Sequence, residues 1–224
     1  AADADGSGEL SKSEVRTLIE LGSGSAAKTE HLLRAFGAEG RPLCYAPIDV
    51  SRTALEASVD RISTEHPQLE LRPALAEYEA GLEAMGQLDL GPKLTLWLGS
   101  SIGNLRKPAA AALLKRIRAT MRSVDRLLVG IDLRKDRNLL ERAYDDEQGV
   151  TARFDLNLLT RINRELGGNF DLSRFRHRVH YDEPSGSVQS FLESQCAQTV
   201  AISSIDLVAS FHPGERIHTE DSHK

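Results

Sequence analysis

Through the first 133 positions, short apolar runs alternate with segments of helical spacing. Thr17–Leu21 is apolar apart from Glu20, and 27–36 follows it with an amphipathic helical pattern. A second run, LCYAPIDV at 43–50, leads to Ser51, a good helix-opening residue, and to a helical register over 53–65. LELRPAL at 69–75, LTLWLGS at 94–100 and RLLVGIDL at 126–133 predict three further strands, the last two separated by a helix over 108–121 that opens on Pro108. Strands of continuous apolar character separated by helices predict βαβ units and an α/β, doubly wound parallel sheet of Rossmann-like form.

Beyond position 133 the pattern changes. Segments 138–146 and Val150–Leu166 are helical, the second closed by Gly167 and Gly168. From Phe175 onward polar and apolar positions alternate, with hairpin chemistry at EPSGS, 183–187. A smaller α+β lobe therefore follows the sheet. The expected division is 1–14 as a separate leading segment or linker, 15–135 as the Rossmann-like domain and 136–224 as the second lobe.

The first strand runs into ELGSGSAAKT, residues 20–29. A phosphate-cradling P-loop fits this stretch except at Ala27, where close wrapping of a phosphate needs glycine, and Asp132 would then end a Walker B-like strand. A dinucleotide site fails at the same alanine. An S-adenosylmethionine (SAM) site asks for less: an acid ending the first strand, G-x-G, and a second acid at the end of strand two. Glu20, Gly22, Gly24 and Asp49 supply those positions. From these residues alone the SAM site, the P-loop and a plain glycine turn remain open.

Composition narrows the partners. The chain has 224 residues, 40% apolar and 27% charged, with a net charge of −5. No basic stripe offers itself to a nucleic-acid backbone. No apolar stretch reaches the length of a membrane span. Two widely spaced cysteines, Cys44 and Cys196, read as reduced thiols, and with no targeting signal in AADADGSGEL the expectation is a cytoplasmic protein. The seven histidines show no metal-binding spacing and read as surface or structural residues.

Several longer segments then appear in a fixed order: IELGSGSAAKT, YAPIDVSRTALEAS, LWLGSSIGNL, GIDLRKDRNLLERAYDDEQGVTARFDLNLLTRINRELGGNF and IHTEDSHK. Together, over about 17–224, they resemble the SAM-dependent histidine-specific methyltransferases, which methylate the α-amino group of L-histidine to trimethylhistidine (hercynine) in ergothioneine biosynthesis. The resemblance implies a class I methyltransferase fold with an added substrate lobe, SAM as cofactor and L-histidine as the small-molecule partner; a monomer is expected. Residue by residue it implies that Gly22 and Lys28 contact SAM and that Asp49 holds its ribose. Glu77 and Tyr78 look like the acid–aromatic pair beside the adenine. Asn104 and Tyr144 look like the pair that holds the substrate carboxylate, and Glu220 with Ser222 looks like the imidazole-binding pair. No residue stands out as a dedicated general base, so none is expected to be catalytic by proton transfer. Asp155, where the resemblance has Asn, is expected either on a helix surface or in packing near the pocket.

Two features stand outside the resemblance. DADGSGELSKSE, 3–14, matches an EF-hand loop, with Asp3, Asp5, Ser7, Glu9 and Glu14 as calcium ligands. Its exiting helix would have to cross 17–20, the first strand, so the loop reads as a remnant rather than a working calcium site. The resemblance also implies further segments at both ends and a sheet holding five of the family's seven strands. The alternatives are a methyltransferase of another small amino acid or amine, and a calcium-binding fusion with a vestigial methyltransferase part.

Overall fold

The computed structural model describes residues 15–37, 42–88 and 90–224. Asp3, Asp5, Ser7, Glu9 and Glu14 lie outside the described residues. The described chain divides into two compact units, one of residues up to Ile102 with Lys107–Ile131, the other of Gly103–Arg106 with Asp132–Lys224.

The first unit is built on strands β1 (Thr17–Leu21), β2 (Cys44–Asp49), β3 (Glu70–Leu71), β4 (Ala74–Leu75), β5 (Lys93–Trp97) and β6 (Arg126–Val129). All pairings are parallel, in the order β3-β2-β1-β5-β6, with β4 also paired to β2. The central strands β1 and β5 are buried at every position, as expected for a sheet covered on both faces. Helices α1 (Glu30–Gly37), α2 (Arg52–Glu65), α3 (Tyr78–Gly86) and α4 (Lys107–Thr120) form the connections. The core gathers Leu18, Leu33, Tyr45, Ile62, Leu94 and Leu96. Because Thr17–Leu21 is strand, a helix leaving the EF-hand-like loop through Leu18 does not form.

Sequence and structure differ where backbone chemistry intervenes. The run 69–75 is two short strands, because Pro73 has no N–H to give the ladder. The fourth run stops at Trp97, since Gly99 and Ser100 turn through positive φ (75° and 61°). The fifth stops at Val129, and the first helix starts only at Glu30 because 22–28 is spent on the loop. Helix α3 went unread in the sequence. Its Gly81 lets it approach β2: a Cβ there would lie 2.5 Å from Ile48 Cγ2.

In the second unit, α5 (Arg137–Tyr144) is capped by Asp136, whose side chain accepts from the amides of Asn138 and Leu139. Helix α6 (Val150–Leu166) ends on Gly167 at φ 63°, the left-handed turn its sequence foretold. Strands β7 (Phe175–Asp182), β8 (Ser187–Ser194) and β11 (Arg216–His223) form an antiparallel sheet in the order β11-β8-β7, and β9 (Gln198–Ile202) pairs with β10 (Leu207–Phe211). Leu159, Phe170, Phe175, Leu192, Val200 and Ile202 make its core. Among the described residues no helix is long and apolar enough to cross a membrane.

Candidate functional site

The glycine loop closes back onto the ends of two neighbouring strands. The amides of Gly22 and Ser23 donate to the Ile48 carbonyl at 2.9 and 3.3 Å. The Gly24 amide donates to Asp49 Oδ2 at 2.7 Å, and the Ser51 amide to Asp49 Oδ1 at 2.8 Å. Asp49 thus fixes the loop while each carboxylate oxygen keeps acceptor capacity. Gly22 sits at φ 70° beneath Tyr78: a Cβ there would lie 2.8 Å from the phenol oxygen. Tyr78 in turn packs edge-on to Trp97, ring centroids 5.9 Å apart.

A cleft of about 280 Å³ is lined by residues 22–28 together with Glu20, Leu98 and Gly99. Lys28 is exposed, its Nζ 3.7 Å from where a Cβ on Gly99 would stand. Ser23 Oγ is buried in this loop without a hydrogen-bond partner among the described residues. Glu77 is exposed at the N-cap of α3, where its side chain makes no cap hydrogen bond. Gly22 and Lys28 therefore line one cleft, Asp49 braces it, Tyr78 roofs Gly22, and Glu77 stands at the start of the neighbouring helix.

Glu20 turns away from the cleft's chemistry. Its carboxylate, 4% exposed as a residue, accepts from Thr29 Oγ1 at 2.5 Å and from the Tyr45 hydroxyl. Burial holds its pKa above the ordinary carboxylate value, against the lowering effect of these two bonds. The acid of the first strand is a brace for the loop and α1.

In the second unit the implied substrate residues converge in part. Tyr144, the last residue of α5, meets Ser222 on β11, oxygen to oxygen at 2.8 Å. Glu220 and Ser222, two apart in the continuous register of β11, share a face, and a register shift between His218 and Glu220 precedes them. They lie on a paired strand rather than in a solvated tail. Glu220 keeps an exposed side, yet crowding of its carboxyl by neighbours raises its pKa, with the charge of Asp155 adding and that of Lys224 opposing. Asn104 ends the short turn Ser101–Asn104 and is exposed; the adjoining Gly103 packs on the backbone of His223.

Two arrangements here went unread in the sequence. Lys224, in TEDSHK, continues the alternation of 220 and 222, and its Nζ reaches Tyr144 Oη at 2.6 Å and Ser222 Oγ at 3.0 Å. Its parity with Glu220 and Ser222 was the available signal. Asp155 is buried rather than on a helix surface and pairs with buried His177. Its polarity in an otherwise amphipathic helix gave no hint of a partner 22 residues away.

The P-loop reading is overturned by this geometry. Asp132 lies past the end of β6 and is committed to Lys135 at 2.7 Å and Lys224 at 3.1 Å, which pull its pKa down to about 2. Among the described residues, Glu30, Glu65 and His66 come within metal-binding reach of one another. Both carboxylates, however, already hold the Arg61 guanidinium, at 2.5 and 3.2 Å.

A parallel sheet with a glycine loop after its first strand and an acid ending its second is the architecture of a class I SAM-dependent methyltransferase. The model of the histidine-specific SAM-dependent methyltransferases matches residues 5–224, so the chain belongs to that family. It is 37% identical to histidine N-alpha-methyltransferase of Mycolicibacterium smegmatis, over 93% of this chain and 64% of that protein. It is 38% identical to the Mycobacterium tuberculosis protein of the same name, over the same shares. Ergothioneine biosynthesis protein 1 of Schizosaccharomyces pombe is 28% identical over 96% of this chain and 28% of that protein. The chain thus spans somewhat under two thirds of the length of the two bacterial relatives.

SAM fits the residues present. Lys28 offers a cation suited to an amino-acid carboxylate, Asp49 offers free lone pairs to ribose hydroxyls, and Ser23 brings an unspent hydroxyl to the cleft. Gly22, without a Cβ, leaves the backbone open to close approach.

Proposed function

We propose that this chain carries the catalytic domain of a SAM-dependent methyltransferase acting on the α-amino group of L-histidine, with trimethylhistidine as the product, as in ergothioneine biosynthesis. The observation that carries the reading is the meeting of Tyr144 with Ser222 at 2.8 Å, with Glu220 on the same face of β11. That places a hydroxyl pair and a carboxylate together in the unit that follows the SAM-binding sheet.

Bound SAM supplies an electrophilic methyl group. Gly22, Lys28, Asp49 and Tyr78, with Glu77 beside them, hold it. Tyr144 and Asn104 donate to the substrate carboxylate. Glu220 accepts a ring N–H of the imidazole while Ser222 donates to the other nitrogen. A ligand without ring nitrogens leaves the Glu220 carboxylate unpaired, which is the basis for selecting histidine. The residues present position the amine rather than take its proton, which leaves to water, so orientation carries most of the rate. In this reading the protein acts as a cytoplasmic monomer, residues 15–135 bind the cofactor, 136–224 together with Asn104 bind the substrate, and the 3–14 loop plays no part.

Calorimetric titration of S-adenosylhomocysteine (SAH), followed by L-histidine, tests the reading. Both bind to the wild type, and Glu220→Ala removes the histidine signal while leaving the cofactor signal. Binding of SAH together with an aromatic amino acid in place of histidine would reassign the substrate.

A further inference from the structure

We propose that Lys224 is a specificity-determining residue: its buried ammonium turns the Tyr144–Ser222 pair into a donor-only surface that selects ligands carrying an anionic, hydrogen-bond-accepting end. The inference rests on the functional reading above.

The Lys224 side chain is 1% exposed. Its Nζ lies 2.6 Å from Tyr144 Oη, 3.0 Å from Ser222 Oγ and 3.1 Å from Asp132 Oδ2, and 4.6 Å from the centre of the Tyr144 ring. An ammonium has three N–H donors and no acceptor. Three acceptors surround this one, so its donors are fully used. Both hydroxyl oxygens therefore accept from Lys224, and neither can direct its own proton toward it.

The two hydroxyls hold one proton each, and their mutual contact at 2.8 Å uses one of the two. If Tyr144 donates to Ser222, the serine oxygen has accepted twice and its proton is left over. If Ser222 donates, the phenol has accepted twice and its proton is left over. In both cases one O–H donor is offered to a ligand, and a substrate that parts the two hydroxyls meets both as donors, Tyr144 toward its carboxylate and Ser222 toward its ring nitrogen. Without Lys224 each hydroxyl could accept from a ligand as readily as donate, and the preference for an acceptor would vanish. Asp132 keeps Lys135 at 2.7 Å and its own loop, so loss of Lys224 does not strand it.

The test compares L-histidine with histamine, which differs by the missing carboxylate, in calorimetric titrations of SAH-saturated protein. Wild type prefers L-histidine. Lys224→Met, near in length but without donors or charge, weakens L-histidine by tenfold or more, changes histamine less than twofold and leaves SAH affinity intact. Lys224→Arg restores the ratio to within threefold of wild type. Equal losses for both amines in Lys224→Met, or no loss, overturn the assignment. If Lys224→Met does not fold, the Arg variant decides alone: a ratio near wild type supports the proposal and a ratio near one overturns it. A wild type that binds SAH but neither amine overturns the functional reading and this inference with it, whereas a wild type that binds both amines equally overturns the inference alone.

Discussion

His177 and Asp155 form a buried pair in the second unit, Nδ1 to Oδ2 at 2.9 Å, with both side chains more than nine-tenths buried. The other ring nitrogen, Nε2, lies 2.9 Å from the carbonyl oxygen of Tyr144. A carbonyl only accepts, so Nε2 carries a proton; a carboxylate only accepts, so Nδ1 carries one too. In its protonated form the ring donates from both nitrogens and ties α6 to the C-terminal end of α5, where Tyr144 stands.

The Asp155 hydrogen bond is the main reason the His177 pKa is raised. A raised histidine pKa gives stability that is fully present below the unfolded value, about 6.5, and is lost as pH rises through the folded value. Asp155→Asn can donate to a neutral Nδ1 and keep the geometry. Urea unfolding between pH 6 and 9 is expected to show a decline in the wild type above about pH 6.5 that flattens in Asp155→Asn. Asp155→Ala leaves a buried ring nitrogen unpaired and costs about 1–3 kcal/mol at pH 6.

Gly22→Ala faces two obstacles at once, the positive φ of 70° and a Cβ 2.8 Å from the Tyr78 phenol oxygen. SAH affinity is expected to fall tenfold or more by calorimetry. Tyr78→Phe in the same chain removes the close oxygen but not the backbone strain, estimated at about 1–3 kcal/mol, and so recovers only part of the affinity.

The brace beneath the loop has its own signature. With burial raising the pKa of Glu20, the folded state prefers its neutral form, and stability falls as pH climbs from the unfolded carboxylate value through the raised one. Glu20→Gln keeps an acceptor for Thr29 and has no charge to desolvate, so its neutral-pH stability should equal or exceed wild type. Tyr45→Phe removes a donor from the buried carboxylate and should cost about 1–3 kcal/mol in chemical denaturation.

Helix α3 depends on a missing side chain. Gly81→Ala would set a Cβ 2.5 Å from Ile48 Cγ2, and its cost, about 1–3 kcal/mol for overpacking, should shrink when Ile48 is also trimmed to Ala, which removes that carbon. Thermal unfolding of the single and double variants reads the coupling, and equal melting points for wild type and Gly81→Ala would refute the contact.

Much of the sheet was legible because its signals are local. The apolar runs and the caps at Ser51 and Gly167 act within a few residues, so β1, β2, α2 and α6 emerged at or near their observed limits. Boundaries slipped where single residues override the pattern, as at Pro73 and Gly99. Helix α3 was hidden because it is only nine residues long, and its buried face is just Gly81, Leu82 and Met85.

The chain's order of motifs by itself determined the family, and its apolar periodicity the Rossmann-like sheet. Both signals are carried by residues that lie near one another along the chain. Only the tertiary structure decided what each polar group is paired with. It buried Asp155 against His177, spent Glu20 on Thr29 and Tyr45, and brought Lys224 to a tyrosine 80 residues away. Hydrogen-bond partners distant in sequence leave no periodic trace along the chain, because strand register and helix packing, not local propensity, set which buried donor finds which acceptor.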